Sequence, residues 1–516
     1  MKDKEVNVEM TVDGRRTMIL ILLTSVVVCF VAWVYMRWHG VKSYWAKRGV
    51  PYPPPHPIYG SLTFLQKINT AIWMRQIYDH FQSPYVGVWL FWRPALIINS
   101  PEIARRVMVQ DSIIFRDRFI SCAPHDPIGH LNIFTSNEPY WSNVRRRLTP
   151  AFTSSKLKGI QLLINTKAKE LVQRIAMDSK KGRFNYRTPY TDFTTDVIGI
   201  ASFGVQSDAT LTGSSAIREI TKEFQKYSLM RGIGWSCIFF FPELVGPFRF
   251  TFFPKSATDY FRKVFSIVVK QRMAENNDYS EPRDLLDMLL KMKKEMVLNN
   301  EEITDDVLIA QAAVFIQGGF DTSASQLTFS SYELAHHPEI QERLYNELKT
   351  SKESLGDADF DETTLANLTY LNCVIKESIR KYQPMGWLDR ISSKEYKIDD
   401  KLTIPAGTPI YVNAIGMHYD PNYFPEPERF NPDRFLPENA DNINKFTFIP
   451  FGEGPRNCIG QRFAYVTVRT ALANIVLNYE LRPLPNTPKP TELQIEKNGM
   501  FLAPGEEVFL DFVPRN

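Results

Sequence analysis

A short segment near the carboxyl terminus combines one cysteine with an arginine and three glycines. Residues 451–460 read FGEGPRNCIG, and an apolar stretch with the length of a helix follows at once, over residues 461–477. Cys458 therefore lies just before a predicted helix N-terminus, where the helix dipole and free backbone N–H groups favour a thiolate over a thiol. The alternative is a buried structural cysteine, but the glycines would then be costly without a backbone role.

The same segment is suited to a flat, acidic ligand. Its glycines let a planar group approach the backbone, and Arg456 can neutralise an acid. A single thiolate on an apolar floor is the ligand that a haem iron needs. The cysteines of the chain are Cys29, Cys122, Cys237, Cys373 and Cys458. No two of these five lie within 80 residues of each other, which disfavours a disulfide framework or a CxxC metal site.

A second candidate lies at the sequence GGFDTS, residues 318–323. Two adjacent glycines inside a helix cost about 2 kcal/mol relative to alanine, so another interaction should offset them. The hydroxyl of Thr322 can bond the carbonyl of Gly318, one helical turn earlier, and open a local groove beside Asp321. The alternative is a helix crossing marked by glycine, with two polar residues facing water.

Glu377 and Arg380 form a third candidate, an acid and a base three residues apart. They lie on the opposite side of a predicted helix from its apolar stripe. That stripe consists of Leu368, Leu371, Ile375 and Ile379. By itself the pair predicts only a surface contact worth a few tenths of a kcal/mol.

The elements that must position these residues are mainly helical. A long helix is predicted to start at Thr304, where two acids suit the positive end of the helix dipole, and to end before Pro338. An arginine-rich helix is predicted over residues 141–148. The predicted extended segments are short and lie at residues 85–90, 95–98, 402–411 and 508–512. The sequence therefore predicts a mainly α fold with small β-sheets.

The amino terminus contains an uncharged run of 20 residues, 17–36, which is long enough to span a bilayer as a helix. A cleaved signal peptide would have a shorter apolar run ending in small residues, and a buried helix would show a polar stripe. We predict a single transmembrane helix. Lysine and arginine number four on each side of the run, so the positive-inside rule does not orient it.

The segment PYPPPHPIYG, residues 51–60, holds five prolines and predicts a stiff spacer after the anchor. The chain is therefore divided into a short N-terminal segment (1–16), the anchor (17–36), a basic and proline-rich hinge (37–60) and one large body (61–516). Hydrophobic residues make up 44% and charged residues 23%, as in ordinary globular proteins. The net charge of +4 gives no case for nucleic-acid binding.

Together these motifs resemble those of the cytochromes P450, the haem-thiolate monooxygenases, and they follow that family's order along nearly the whole chain. Residues 451–460 match the cysteine-loop signature FxxGxRxCxG, and GGFDT resembles the oxygen-activating groove. Residues 377–380 resemble the ExxR pair, residues 427–430 the PERF segment and residues 141–145 the WxxxR haem motif. The anchor and hinge resemble those of microsomal members. Within the family, the chain looks most like the insect enzymes of family six.

The resemblance implies haem b (iron protoporphyrin IX) as the cofactor, with Cys458 as the axial ligand of the iron and residues 61–516 as the haem-binding catalytic domain. It implies that Thr322 hydrogen-bonds dioxygen and that Asp321 helps to bring protons to it. The residues implied to hold or border the haem are Trp141, Arg145, Gly318, Gly319, Arg390, Phe451, Arg456 and Gly460. The implied structural network behind the cysteine loop consists of Glu377, Arg380 and Arg429.

The resemblance also indicates residues that border a substrate. These candidates are Phe320, Trp387, Met500 and Phe501. Trp387 stands where relatives have a small aliphatic residue, beside Gln383 and Gly386 in place of prolines, so we expect it to narrow the space over the haem. An aromatic segment, residues 235–253, holds seven phenylalanines and one tryptophan. It predicts either core packing or a lipid-facing roof over the pocket.

The implied activity is the oxidation of lipophilic small molecules with O2 and electrons from NADPH. The implied substrates are xenobiotics such as plant toxins or insecticides, or endogenous lipids and hormones. No GxGxxG follows a strand, so the electrons must come from a partner. The resemblance implies that this partner is NADPH–cytochrome P450 reductase, a flavoprotein, with cytochrome b5 as a further candidate. The implied location is the endoplasmic reticulum membrane, with the catalytic domain in the cytoplasm.

Two other functions are considered. One is a haem-thiolate isomerase or dehydratase that works without a reductase, against which the pair of Asp321 and Thr322 argues. The other is a non-catalytic, membrane-anchored haem-binding protein, which the sequence by itself does not separate from an enzyme.

Overall fold

The computed structural model describes residues 2–205, 207–275 and 279–515. The α-helices in these residues are α1 (Lys2–Ser43), α2 (Thr70–Phe81), α3 (Pro101–Arg105), α4 (Pro127–His130), α5 (Tyr140–Leu148), α6 (Ser154–Ser179), α7 (Arg187–Phe203), α8 (Ala209–Thr212), α9 (Ala216–Gln225), α10 (Leu229–Phe240), α11 (Pro242–Val245), α12 (Lys255–Glu275), α13 (Leu285–Leu298), α14 (Asp305–His336), α15 (Pro338–Leu355), α16 (Glu362–Asn367), α17 (Thr369–Lys381), α18 (Ala414–His418) and α19 (Gln461–Asn478). The β-strands are β1 (Tyr85–Leu90), β2 (Arg93–Ile98), β3 (Leu388–Ile391), β4 (Tyr396–Lys397), β5 (Thr403–Ile404), β6 (Pro409–Val412), β7 (Tyr479–Pro483) and β8 (Leu510–Pro514). The prediction of a mainly α fold with small sheets is confirmed.

The strands form three small sheets. The largest has the order β1-β2-β6-β3, in which β2 and β6 are parallel and the other neighbours antiparallel, while β4-β5 and β7-β8 are two-stranded. The predicted strand at residues 85–90 is confirmed. The single strand predicted over residues 402–411 is wrong, because a turn splits it into β5 and β6, which belong to different sheets. Gly407 lies in that turn at a φ of +78°, a conformation that favours glycine.

Helix α14 crosses the body, and its bounds match the prediction from the sequence. Thr304 precedes it, and Asp305 and Asp306 lie in its first turn, where their charge suits the helix dipole. It packs most extensively on α7 and also contacts α4, α17, α19 and β7. A helix that is buried along most of its length gives a rigid support to the residues in its middle.

Helix α1 carries a run of apolar side chains, residues 17–36, that is largely exposed. Arg16–Arg48 is, among the described residues, the one helical stretch that is long and apolar enough to cross a membrane. Its apolar side chains are largely exposed; Leu20 is 64% and Phe30 is 61% accessible. Apolar surface of this extent suits contact with lipid.

The chain that follows α1 is tied to the largest sheet. Trp45 is fully buried, and its Nε1 donates to the Val88 carbonyl over 3.1 Å. Trp89 on β1 donates in turn to the Val41 carbonyl over 3.1 Å. Gly87 makes this docking possible, because a Cβ at that position would lie 2.4 Å from the Trp45 ring.

The proline-rich segment also lies along this sheet. The N–H of Gly87 donates to the Pro51 carbonyl over 2.9 Å, and the indole of Trp92 donates to the Pro57 carbonyl over 2.7 Å. The segment therefore has fixed contacts with the body in addition to the stiffness of its prolines.

Candidate active site

A cavity of about 300 Å³ lies between α14, α5 and the loop that carries Cys458. The predicted site residues that line it are Trp141, Arg145, Gly318, Gly319, Asp321, Thr322, Phe451, Arg456, Cys458, Gly460 and Phe501. Apolar side chains from several other segments complete its wall, among them Ile133, Phe134, Phe152, Ile198, Phe252 and Phe315. The chain thus folds so that helix α5, the glycine pair of α14 and the cysteine loop border one apolar space.

The loop before α19 turns the sulfur of Cys458 toward this cavity. The N–H of Cys458 donates to the Phe451 carbonyl over 2.8 Å and closes the loop. Gly452 and Gly454 have φ angles of +70° and +72°, which favour glycine. A Cβ on Gly454 would lie 1.9 Å from the Met108 carbonyl oxygen. Position 454 therefore needs glycine because the backbone at Met108 lies directly against it, and not because a ligand approaches there.

The surroundings of Cys458 act on its thiol in opposite directions. Its side chain is exposed to the cavity. Burial raises the pKa of this thiol, while the N–H of Gly460 and the charges of Arg145 and Arg118 oppose that rise. A metal ion bound to the sulfur would supply the stabilisation, because coordination deprotonates a thiol.

Positive charge accumulates on one wall of the cavity, where Arg118, Arg145 and Arg456 lie. Arg456 donates to two backbone carbonyls at 2.7 and 2.9 Å, and its guanidinium stands 3.9 Å from the centre of the Trp141 ring. Burial lowers the pKa of Arg456 to about 8, and the nearby charges of Arg118 and Arg390 lower it further in the same direction. An anion at this wall would relieve the repulsion among the guanidinium groups.

Arg118 is a site residue that the sequence reasoning missed. Its Nε and Nη1 are buried and have no hydrogen-bond partner among the described residues. The nearest acid is Asp389, at 3.8 Å, whose other carboxylate oxygen already accepts from the N–H groups of Phe119 and Ile120. Buried donors without a partner are costly, so this side chain is suited to bind an anion in the cavity. No motif marks it, because its role depends on contacts with distant segments.

Arg390, which was expected to hold the haem, does not line the cavity. It lies on β3 with 2% exposure, and its Nη1 donates to the Asp389 carbonyl over 2.7 Å. Burial lowers its pKa to about 10, with a further contribution from the charge of Arg118. Arg390 therefore adds positive potential from behind the wall, while Arg118 faces the cavity.

The two glycines of α14 have different surroundings. A Cβ on Gly318 would have no atom within 4 Å, so the helix backbone is open toward the cavity there. A Cβ on Gly319 would lie 2.7 Å from two carbons of Ile198 on α7. Thr322 donates its hydroxyl hydrogen to the Gly318 carbonyl over 2.7 Å, as the sequence predicted. Both interpretations of the motif thus apply, one to each glycine: an open groove at Gly318 and a helix crossing at Gly319.

Asp321 is held by two side chains that the sequence did not connect with it. Its Oδ1 accepts from Arg187, at the start of α7, over 3.3 Å and from Gln225, at the end of α9, over 3.1 Å. The carboxylate lines the cavity beside Thr322. These contacts fix the acid against the neighbouring helices without enclosing it.

Glu377 and Arg380 on α17 are fully buried and not on the surface. Arg380 makes a two-pronged ion pair with Glu377, at 2.8 and 2.9 Å, and donates to the carbonyls of His418 and Pro427. The expectation that Arg429 completes this network is wrong. Its side chain is 66% exposed and, among the described residues, pairs with Glu426 alone, at 3.4 Å.

Arg434 takes the place expected for Arg429. Its Nε lies 3.4 Å from Glu377 Oε1, its side chain is 9% exposed, and it donates to the Glu426 carbonyl over 2.9 Å. The sequence contained a pattern that could have identified Arg434, since PERF at residues 427–430 is followed by a similar tetrapeptide, PDRF, at residues 432–435. Only the second tetrapeptide lies where its arginine reaches the buried carboxylate.

Three of the four substrate candidates do not line the cavity. Phe320 is fully buried on the α7 side of α14, where its carbonyl accepts from Thr194 over 2.9 Å. Trp387 is fully buried against Phe239 and Phe240, whose ring centres lie 6.1 and 6.4 Å away.

Met500 is likewise buried, at 3% exposure, and only Phe501 of that pair faces the cavity. Trp387 therefore supports the wall from behind and does not narrow the space itself. Pro384, Met385 and Leu388 from the same segment form the wall instead.

The aromatic segment is divided between core and surface. Phe239, Phe240, Phe241, Phe252 and Phe253 are buried, and Phe252 reaches the cavity. Phe248 is 65% exposed, as are the apolar side chains at the start of α10, where Leu229 and Met230 are 64% and 66% accessible. Core packing therefore describes five phenylalanines of this segment, while Phe248 is exposed.

A buried glutamine fixes one wall of the cavity to α14. Gln311 is fully buried, accepts from the N–H of Ile133 over 2.9 Å and donates to the Leu131 carbonyl over 2.6 Å. Ile133 and the adjacent Phe134 both line the cavity. The loop between α4 and α5 is therefore held in place by hydrogen bonds as well as by packing.

These residues fit a haem. Cys458 offers a soft ligand to iron, the unpaired donors of Arg118 and the guanidinium of Arg145 suit propionate carboxylates, and the open backbone at Gly318 suits a flat ring. The described residues contain no group of three or more His, Cys, Asp or Glu side chains that could hold a metal ion on its own.

Comparison with known proteins agrees with the geometry. The sequence profile described as "Cytochrome P450" matches residues 50–511. The chain is 33% identical to cytochrome P450 6k1 of Blattella germanica, with 94% of this chain and 95% of that protein covered. It is 31% identical to cytochrome P450 6j1 of the same insect, over 89% of this chain and 93% of that one. It is also 31% identical to cytochrome P450 3A9 of Rattus norvegicus, over 96% of each chain. The chain belongs to the cytochrome P450 family, and its resemblance to the insect enzymes of family six is confirmed.

Proposed function

We propose that this protein is a monooxygenase that uses O2 and electrons from NADPH to hydroxylate or epoxidise lipophilic small molecules. One observation carries the proposal: Cys458 and the groove formed by Gly318 and Thr322 open into the same apolar cavity. Haem with a thiolate ligand would supply the one-electron and O2 chemistry that protein side chains lack. The substrates proposed are xenobiotics such as plant toxins or insecticides, or endogenous lipids and hormones.

The chain's own residues have separate roles in this proposal. Cys458 would ligate the haem iron, and Arg118, Arg145 and Arg456 would hold the propionates. The hydroxyl of Thr322, bonded to the Gly318 carbonyl, is placed to hold a proton over the cavity. Asp321 passes protons to it, and its carboxylate is oriented by Arg187 and Gln225.

The proposed setting is the endoplasmic reticulum membrane, with residues 17–36 as anchor and residues 61–516 as the catalytic domain in the cytoplasm. The exposed apolar surface of α1 and the exposed side chains of Leu229, Met230 and Phe248 support contact with lipid. An apolar substrate would reach the cavity from the bilayer. Electrons would come from NADPH–cytochrome P450 reductase, with cytochrome b5 as a second partner.

The test combines a spectrum with a mutation. The reduced, CO-bound absorption spectrum of the purified protein should show thiolate ligation, and the Cys458→Ala variant should lose it. With the reductase, NADPH and a panel of terpenoids, furanocoumarins, pyrethroids and fatty acids, oxygenated products should form. Thiolate ligation without any NADPH-dependent product would favour the isomerase or the non-catalytic binder instead.

Thr322→Ala should lower the fraction of NADPH that is recovered as product, because the proton-holding hydroxyl is lost. Thr322→Ser, which keeps the hydroxyl, is the matched control and should stay close to the wild type. Full coupling in Thr322→Ala would refute the proton-holding role.

A further inference from the structure

A second, smaller cavity of about 30 Å³ lies beside the cavity that Cys458 lines, which is called the main cavity below. Helices α6, α7 and α13 form most of its wall. Among the described residues, Phe152, Ile198 and Phe463 line both cavities. These three side chains therefore stand between the two spaces.

The wall of the second cavity is mostly apolar. Leu157, Ile160, Ala201 and Met288 line it and do not line the main cavity. A volume of this size holds about one or two molecules as small as water, and apolar cavities in proteins stay dry and take up apolar gases. The space is therefore suited to a diatomic gas and is too small for an organic substrate.

The outer end of the second cavity is close to the protein surface at the loop before α13. Arg283, whose side chain is 52% exposed, contributes to the wall there. Lys156, also in the wall, donates from Nζ to the Pro282 carbonyl over 2.6 Å and ties the start of α6 to this loop. The second cavity thus lies between the solvent and the main cavity.

The inner end of the second cavity lies against the glycine pair of α14. A Cβ on Gly319 would lie 2.7 Å from two carbons of Ile198, so this side chain packs directly on the helix. At Gly318, the preceding residue, the backbone is open toward the main cavity and accepts the hydroxyl of Thr322. Ile198 therefore separates the second cavity from the groove where dioxygen is expected.

The candidates for substrate contact lie on other walls. Phe501, the substrate candidate that faces the main cavity, and Phe252, from the aromatic segment, line the main cavity and not the second one. A gas and an organic substrate could therefore reach the groove from different walls of the main cavity.

We infer that the second cavity is a docking site for dioxygen on its way to the main cavity, with Ile198 as the partition that the gas passes. Side chains in protein cores do change rotamer, and such a change at Ile198 would join the two spaces. The inference rests on the proposed function in that a haem in the main cavity binds the gas.

The test measures gas binding and does not require turnover. The probe is carbon monoxide, whose bimolecular association with the reduced, full-length holoenzyme in detergent is followed by laser flash photolysis. Ala201→Phe fills the second cavity and should slow this association by about 3-fold or more, because the close-packed protein then leaves no space there. Ala366→Phe makes the same change on the exposed surface of α16 and should keep the wild-type rate.

Removal of the partition should have the converse effect. Ile198→Ala should speed the association of carbon monoxide by about 3-fold or more, because most of the side chain between the cavities is lost. In the double variant with Ala201→Phe the outer space stays filled, so the rate should remain close to that of Ala201→Phe.

A gain that survives in the double variant would show that the gas enters elsewhere and would overturn the inference. An unchanged rate in either single variant would also overturn it, so one folded variant is sufficient for the test.

A larger probe separates a blocked gas route from a distorted site. The nitrogen of 4-phenylimidazole can bind haem iron, and the molecule is too large for the second cavity. It should associate with Ala201→Phe at the wild-type rate, because Ala201 does not line the main cavity. Equal slowing of both probes would overturn the inference.

Product formation distinguishes this inference from the proposed function. Association rates that depend on Ala201 and Ile198 without any oxygenated product leave the gas site standing and remove the monooxygenase. Oxygenated product with unchanged rates has the opposite meaning.

Discussion

Glu377 is fully buried, and both of its carboxylate oxygens accept hydrogen bonds from Arg380, at 2.8 and 2.9 Å. The N–H of Asn431 adds a third hydrogen bond at 2.9 Å, and Arg434 lies 3.4 Å away. A charge this far from water is tolerated only when its neighbours replace the lost hydration. The network holds α17 to the segment after α18, close to the start of the cysteine loop.

This geometry predicts different effects for the two arginines of the segment. Arg434→Ala should lower the free energy of unfolding by about 1–3 kcal/mol, because it removes one of two cations from a buried carboxylate. Arg429→Ala is the matched control and should change it by less than about 0.5 kcal/mol, since that side chain is mostly exposed. Urea unfolding of both variants measures the difference, and similar losses would contradict the assignment.

His418 predicts a dependence of stability on pH. Its Nδ1 hydrogen bonds the Arg380 carbonyl at 3.1 Å, and its Nε2 accepts from the N–H of Ile449 at 3.2 Å, so the neutral ring is the form that fits. Burial, with a smaller contribution from the Arg380 charge, lowers its pKa from 6.5 to about 3. The unfolded chain therefore binds a proton below about pH 6.5 that the folded protein binds only near its lowered pKa.

The contribution of His418 to the free energy of unfolding should thus be lost as the pH falls from about 6.5 toward about 3, at roughly 1.4 kcal/mol per pH unit. In His418→Gln, whose amide can also donate and accept, this part of the slope should disappear. The measurement is the urea midpoint of both proteins at several pH values in that window. Parallel slopes would refute the assignment.

At the scale of elements, the crossing of α14 and α7 is the central contact of the body. Gly319 lets the two helices approach, since a Cβ there would lie 2.7 Å from carbons of Ile198. Gly318 leaves the other side of α14 open to the cavity. One dipeptide therefore serves a structural contact and a ligand site on opposite faces of one helix.

The two glycines should respond differently to alanine. Gly318→Ala should stabilise the haem-free protein by about 1 kcal/mol through helix propensity but should retain haem less well, because its methyl group enters the cavity. Gly319→Ala should lower stability by about 1–3 kcal/mol through overpacking against Ile198. Thermal unfolding and the haem absorbance after gel filtration measure the two effects. Adding Ile198→Ala to Gly319→Ala should recover part of the loss, and strictly additive losses would contradict the clash.

At the scale of the whole molecule, an exposed apolar helix is joined to a body that has its own core. The body is attached to the end of α1 through the hydrogen bonds of Trp45 and Trp89 and not through the apolar run itself. The proline-rich segment adds further contacts with the sheet. The apolar run is thus free for lipid, while the residues that follow it belong to the fold.

Removal of residues 2–36 should therefore release the protein from membranes and leave its fold intact. The contacts of Trp45 and Trp89 with Val88 and Val41 remain in this variant. The expected result is recovery in the soluble fraction after alkaline carbonate extraction, with a melting temperature close to that of the full chain. Retention in the carbonate-washed membrane would contradict the assignment of the run as the anchor.

The sequence by itself determined the features that depend on local spacing. The bounds of α14 follow from its acids and from Pro338, the bond from Thr322 to Gly318 follows from one helical turn, and the cysteine loop follows from its glycines and Cys458. The apolar run 17–36 likewise follows from length and composition. Such features need no partner from elsewhere in the chain.

Only the tertiary structure decided the features that depend on which distant side chains meet. It placed Arg434 and not Arg429 at Glu377, Arg118 and not Arg390 at the cavity, and Trp387 behind the wall. In both arginine pairs the two side chains are identical, so composition and periodicity do not separate them. They are separated by burial and by long-range hydrogen bonds, which exist only once the chain has folded.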